Sequence, residues 1–150
     1  MDSMDVDVSD RIVIERPIAV VAAFAGDPSN APTWYRRIDR AEWVTEPPIT
    51  LGSRISFRAQ FLGRRLEYTY EVTEYTPGEQ MSMRTTEGPF PMATTYTWRA
   101  VGERATHMVL RNHGEPAGFS RFLAPLIARA MRRAMKQDLG DLKQLLESRS

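Results

Sequence analysis

The stretch from Gly118 to Ser148 constrains the fold of this chain more than any other. It reads G-F-S-R-F-L-A-P-L-I-A-R-A-M-R-R-A-M-K-Q-D-L-G-D-L-K-Q-L-L-E-S. Placed at ~100° per residue, its side chains fall into two arcs. Arg129, Arg132, Arg133, Lys136, Lys143 and Glu147 share one narrow face. Leu123, Ile127, Ala130, Met131, Ala134, Met135, Leu142, Leu145 and Leu146 take most of the other. Such a helix, roughly 40 Å long at ~1.5 Å per residue, needs a broad apolar partner. Pro125 either kinks it or marks a fresh start, because its ring displaces one backbone hydrogen bond. Asp138 projects into the middle of the apolar arc, where a lone carboxylate is costly unless it is paired, hydrogen-bonded or wet.

The middle of the chain supplies the partner. From Arg40 the apolar period changes from 3.6 to 2. Arg40–Thr45 reads as a strand. In Arg54–Leu62, Ile55, Phe57, Ala59 and Phe61 point one way and Arg54, Ser56, Arg58 and Gln60 the other. After a turn at Gly63-Arg64, Leu66, Tyr68, Tyr70 and Val72 oppose Glu67, Thr69, Glu71 and Thr73. Met81 and Met83, then Met92, Thr94, Tyr96 and Trp98, then Met108 and Leu110 continue the apolar face, with Pro77-Gly78 and Gly102-Glu103 as turns. Ahead of this run, Arg11–Glu15 is a first strand. Ile18–Ala25 and Asn30–Ile38 are short helices, the second carrying Trp34 and Ile38 on one face. Strands joined by short turns form an antiparallel meander, and a single wet face leaves the other for the long helix. The expected fold is therefore α+β: a curved seven-stranded antiparallel sheet around the C-terminal helix, with the two short helices between strands 1 and 2 closing one end. Residues 1–150 are read as one domain, with 1–9 as a flexible N-terminal tail.

Composition removes several function classes. Of 150 residues, 42% are hydrophobic and 26% charged, as in a water-soluble globular domain. A net charge of +1 argues against nucleic acid as partner, since phosphate binding needs clustered excess cations. No run of ~18 apolar residues exists to span a membrane, and the acidic N-terminus does not resemble a secretory signal. The lack of cysteine excludes disulfides and thiolate chemistry and suits the cytoplasm, where the chain is expected. His107 and His113 share the outward face of the last strand without a third ligand, so no metal site is expected. No G-x-S-x-G, H-E-x-x-H or phosphate-loop motif occurs.

Four segments carry a family resemblance: I-E-R-P-I-A-V-V-A-A-F from Ile14, D-P-S-N-A-P-T-W ending at Trp34, G-S-R-I-S-F from Gly52, and D-L-G-D-L-K-Q-L-L-E from Asp138. With the element order, they make the chain resemble the helix-grip superfamily. That group includes START lipid-transfer domains, the birch-pollen-allergen fold and bacterial polyketide cyclase/dehydrase-like proteins. The resemblance spans nearly the whole chain. It implies a cavity between sheet and long helix that takes an apolar or amphipathic small molecule. Members include lipid and sterol carriers, quinone-binding proteins, aromatase/cyclases and activators of a heat-shock ATPase, and fold does not choose among them.

The residues expected to line that cavity are Trp34, Phe57, Phe61, Tyr68, Tyr70, Met83, Thr94, Tyr96, Trp98, Met108, Asn112, Ile127, Met131 and Asp138. The same rings also serve as plain core filling, with each hydroxyl bonded to backbone. In the functional reading they orient a ligand's oxygen atoms, and the methionines make the walls adaptable. Asp138 either reaches water or an arginine at the rim, or faces the interior with a raised pKa. The loops Gly88-Pro89-Phe90-Pro91 and Gly114–Gly118 are candidate lids. Arg129, Arg132, Arg133 and Lys136 form a solvated outer face that also resembles a membrane-surface helix. The expected function is binding or transport of a hydrophobic or amphipathic molecule, without cofactor, by a monomer or weak dimer. The alternatives are a cyclase/dehydratase-type enzyme on a polyketide-like or aromatic substrate and an ATPase-activator-like interaction module; no catalytic residue is assigned.

Overall fold

The computed structural model describes residues 6–114 and 123–149. Its elements are β1 (Val6–Ile14), α1 (Ile18–Ala25), a 3-10 turn (Pro28–Asn30), α2 (Ala31–Trp34), β2 (Ile38–Trp43), β3 (Arg54–Phe61), β4 (Arg64–Thr76), β5 (Gln80–Glu87), β6 (Met92–Ala100), β7 (Thr106–Gly114) and α3 (Ala124–Glu147). Among the described residues they form one seven-stranded antiparallel sheet in the order β1-β7-β6-β5-β4-β3-β2. The expected helix-grip architecture is therefore the one observed.

Strand β1 corrects the expectation of a flexible tail over its first residues, 6–9; residues 1–5 lie outside the described ones. It begins at Val6 and pairs with β7 from Val6↔Gly114 to Ile14↔Thr106. Val6 and Val8 are buried, while Asp7 points out and accepts two hydrogen bonds from Arg111, at 2.8 and 2.6 Å. The acidic V-D-V-S stretch is an alternating strand whose outward residues happen to be polar. Its acidity disguised its period of two.

The sheet bends at irregularities in its pairing, in β2–β3 between Ile38 and Arg40 and twice between β4 and β5. The pairing of β4 with β5 shifts register between Thr69 and Tyr70 and again between Val72 and Glu74. The second shift adds a residue to β4, so the inward set changes from Leu66, Tyr68, Tyr70 and Val72 to Tyr75, which packs against the core. Such bulges bend a strand and increase its twist. The β3–β4 hairpin turns on Leu62 and Gly63, both at positive φ (50° and 75°), one residue earlier than the sequence suggested.

The region after α1 also departs from expectation. Asn30–Ile38 is not one helix: α2 ends at Trp34, Tyr35 is extended (φ −82°, ψ 115°), and Ile38 opens β2. Trp34 and Ile38 therefore do not share a helix face. Tertiary pairing outweighed the weak local helical signal, since Gln60 N–H donates to Arg37 O and Ile38 aligns with Ala59.

Helix α3, about 36 Å long at ~1.5 Å per residue, lies across the concave face. Pro125 falls in its first turn, where the missing N–H removes no intrahelical bond. It marks a start and not a kink. Gly118–Phe122 lie outside the described residues, as does most of the expected Gly114–Gly118 lid. Ile127, Ala134, Met135, Leu139, Leu142 and Leu146 are buried against the sheet. The C-terminal half is fastened to β1. Lys143 Nζ donates to Val13 O (2.7 Å), Glu147 accepts from Glu15 N–H (2.7 Å), and Arg16 donates to Leu146 O (2.7 Å). β1 thus holds one side of the helix, and β2 is the opposite edge of the sheet.

Candidate functional site

Between α3 and the sheet lies a partly enclosed cavity, with about 160 Å³ free for the centre of a water-sized sphere. Phe57, Phe61, Tyr68, Tyr70, Met83, Thr94, Tyr96, Asn112, Ile127, Met131 and Asp138, all expected from the sequence, line it. Trp34, Trp98 and Met108 do not, and this corrects their assignment. They lie at the end filled by α1 and α2, buried to 4% exposure or less, with Trp98 aligned to Met108 across β6–β7. Trp34 stacks on Tyr35 at 4.0 Å between ring centroids, and Trp98 lies 5.8 Å from Tyr96. Neither indole N–H has a partner among the described residues. These rings back the cavity wall.

Several wall residues were missed. Tyr35 was hidden by the expected helix, and its inward turn follows from the extended backbone after Trp34. Arg37 and Ile38 enter for the same reason. Val6 was lost with the supposed tail. Met92 and Met135, two of the methionines expected to make the walls adaptable, line the cavity, together with the inward-facing Leu66, Leu110 and Ala134. Pro89 and Phe90, from the candidate lid, also reach it. Gly88 lets that loop approach closely: a Cβ there would lie 2.8 Å from Tyr68 Cβ, and φ is 153°.

The wall is mainly apolar, and its polar groups form short chains. Tyr35 and Tyr96 hydroxyls are 2.6 Å apart. Whichever donates, the partner's own hydrogen is left for a third group. In the second chain Thr94 Oγ1 donates to Asn112 Oδ1 (2.7 Å), so Tyr70, 2.9 Å from the same Oγ1, donates to Thr94. The Asn112 amide hydrogens have no protein acceptor among the described residues, and neither has the Tyr68 hydroxyl. Burial raises the pKa of Tyr35 and Tyr68 well above the phenol range and that of Tyr70 to about 12. These phenols stay protonated and act as donors.

Asp138 faces the interior at 4% exposure. Its Oδ1 accepts from Arg36 N–H at 3.0 Å, while Arg36's guanidinium pairs bidentately with Asp141 (2.7 and 3.0 Å). Oδ2 has no hydrogen-bond partner among the described residues. Burial pushes its pKa up to about 6; the Arg36 N–H, Arg37 and the Arg36 side chain pull it down, and Asp141 opposes them. The carboxyl therefore exchanges its proton near neutrality, beside the Tyr35–Tyr96 pair. Both histidines lie off the cavity wall. Among the described residues no three His, Asp or Glu side chains converge as a metal site, and no helix is long and apolar enough to cross a membrane.

A curved antiparallel sheet closed on one long helix, with an apolar cavity between them, defines a helix-grip protein of the START and birch-pollen-allergen type. More particularly, residues 5–147 match the model of the family described as polyketide cyclase / dehydrase and lipid transport, and the chain belongs to that family. No curated protein sequence matches it. Solved structures resemble it closely in fold. TTHA0849 of Thermus thermophilus superposes with a TM-score of 0.82 at 21% identity, covering 96% of this chain and 99% of that one. The Zhui aromatase/cyclase of Streptomyces gives 0.81 at 14%, covering 97% and 95%. The ginseng (Panax ginseng) major latex-like protein 151 gives 0.74 at 10%, covering 95% and 97%. At these identities the likeness is one of fold alone.

Proposed function

We propose that this protein binds and carries a hydrophobic small molecule bearing oxygen atoms, in the cavity between α3 and the sheet. The observation that carries this reading is the set of polar groups left without protein partners, among the described residues, on an otherwise apolar wall. The Tyr68 hydroxyl, the Asn112 amide hydrogens and one hydrogen of the Tyr35–Tyr96 pair are donors; Asp138 Oδ2 is an acceptor. A ligand with carbonyl or hydroxyl oxygens satisfies them while its apolar body covers Phe57, Leu110, Ile127 and Met131. We place this carrier in the cytoplasm, as a monomer or weak dimer working without a cofactor.

Native mass spectrometry of freshly purified protein, followed by solvent extraction, tests the proposal. A discrete extra mass that is lost on denaturation, and is absent from a Met131→Trp variant, is the expected result. Protein that is bare and also fails to take up a neutral apolar fluorophore would refute it.

A second reading is favoured by one observation, the juxtaposition of Asp138 with the Tyr35–Tyr96 pair. A carboxyl that exchanges its proton near neutrality, next to phenolic donors, suits proton transfer to and from a polyketide-like substrate, and the family includes cyclases and dehydrases. On this reading Asp138→Asn abolishes turnover of a poly-β-ketone while leaving its affinity intact. On the carrier reading no turnover exists to lose.

A further inference from the structure

The cavity has an edge that its apolar wall does not explain. Arg36 and Arg37 are consecutive, yet their charges have different fates. Arg36 is neutralised by the two oxygens of Asp141. Arg37, partly buried on the cavity wall, has no carboxylate within 4.0 Å of its guanidinium among the described residues. Its side-chain contacts are with the neutral Gln137 Oε1 at 3.4 and 3.5 Å, at the long limit for a hydrogen bond. Gln60, a second neutral amide, lines the cavity beside it. Arg133 lies one turn before Gln137 on the same flank of α3, exposed and without an acidic partner among the described residues. Among the described residues Asp138 is the carboxylate on this wall; it makes no ion pair with Arg37, though it feels that charge, which lowers its pKa. This edge is where the residues leading into β2, the strand farthest from β1 in the sheet, meet α3 through the Arg37–Gln137 contact.

We propose that the molecule taken up by the cavity is an amphipathic acid: its apolar body lies inside, and its carboxylate or phosphate monoester sits at the β2–α3 edge against Arg37. This rests on the reading of the cavity as a ligand site and adds the chemistry of the head group. A planar guanidinium whose hydrogen bonds among the described residues are long contacts to one amide offers a paired N–H edge to a carboxylate or phosphate. The setting, half-buried beside an apolar wall, strengthens that pairing relative to open solvent. Arg133 adds positive potential on the approach to the same edge.

The test is displacement of the neutral fluorophore N-phenyl-1-naphthylamine at pH 8 by three probes of equal chain length: dodecan-1-ol, dodecanoate and dodecyl phosphate. The two acids, or one of them, are expected to displace the dye at concentrations about tenfold below the alcohol. Arg37→Gln is expected to abolish the acids' advantage, read as the ratio of acid to alcohol displacement, and Arg37→Lys to keep part of it. A preference for only one acid identifies the head group. Equal displacement by all three probes, or an Arg37→Gln variant that weakens all three alike, overturns the anionic head and leaves the cavity reading standing. Acid binding that survives Met131→Trp while alcohol binding is lost also overturns it, because the acid would then sit outside the cavity. If neither dye nor alcohol binds the wild-type protein, the cavity reading falls and this inference with it.

Discussion

Asp138→Asn should make this protein more stable at neutral pH, and the reason is the burial of a charge. The carboxyl is 4% exposed, one oxygen is held by Arg36 N–H, and its pKa stands at about 6 against an ordinary 3.8. The folded state therefore holds the proton more tightly than the unfolded chain. Between about pH 4 and 6 stability falls as pH rises, and above that window the cost is constant. At ~1.4 kcal/mol per pH unit the displacement corresponds to about 3 kcal/mol; water reaching the cavity side reduces this to about 2 kcal/mol. Asparagine keeps an acceptor for Arg36 N–H and carries no charge. At pH 7 the variant should gain about 2 kcal/mol, which for a chain of this size raises Tm by roughly 4–8 °C. At pH 4 the two proteins should melt together. Urea or thermal denaturation across pH 4–8 measures the difference, and other titrating groups cancel between the two proteins. A variant less stable than wild type at pH 7, or a difference that ignores pH, would show that the ionised carboxylate is favourably paired and would refute the reasoning.

Four further outcomes follow from the packing. Leu62→Gly should stabilise the β3–β4 hairpin by up to ~1 kcal/mol, because leucine is held at φ 50° while half exposed; chemical denaturation measures it. Tyr35→Phe and Tyr96→Phe should each cost about 1 kcal/mol, and the double mutant little more than either, since both remove the same 2.6 Å contact. Val8→Ala should cost about 1–2 kcal/mol, and deleting residues 1–9 should cost more; a harmless deletion would restore the tail reading. Gly88→Ala should destabilise by about 1–2 kcal/mol and perturb Tyr68, seen as a changed near-ultraviolet circular dichroism spectrum.

Much of the architecture was legible because periodicity survives without tertiary context. The two arcs of α3 and the alternation from Ile55 to Leu110 specify a helix and strands, and turn residues such as Gly63 and Gly78 separate them. Eleven of the fourteen residues expected on the cavity wall lie on it, for the same reason: parity in a strand decides which face a side chain takes, and the 3.6 period does so for Ile127, Met131 and Asp138 on α3. Parity does not decide how far along that face the space is filled. Trp98 and Met108 share the inward face with Tyr96 and Leu110, yet α1 and α2 occupy the volume above them. Local signals also misled where they were weak. The four-residue α2 and the acidic start of β1 take their form from pairing with distant strands, Ile38 with Ala59 and Val6 with Gly114.

By itself, then, the sequence determined the long helix, the run of strands with their inward faces and the presence of one carboxylate in the apolar arc of that helix. Only the tertiary structure decided that β1 joins β7, which holds α3 by one side. It also decided that Tyr35 and Arg37 turn into the cavity, and that Asp138 is covered while its second oxygen has no hydrogen-bond partner among the described residues. Those outcomes depend on contacts across about a hundred residues, such as Arg36 N–H to Asp138 and Glu15 N–H to Glu147. Side-chain period records the direction in which a residue points. The volume left between surfaces depends on how the sheet bends and what else fills it, and no local pattern encodes that.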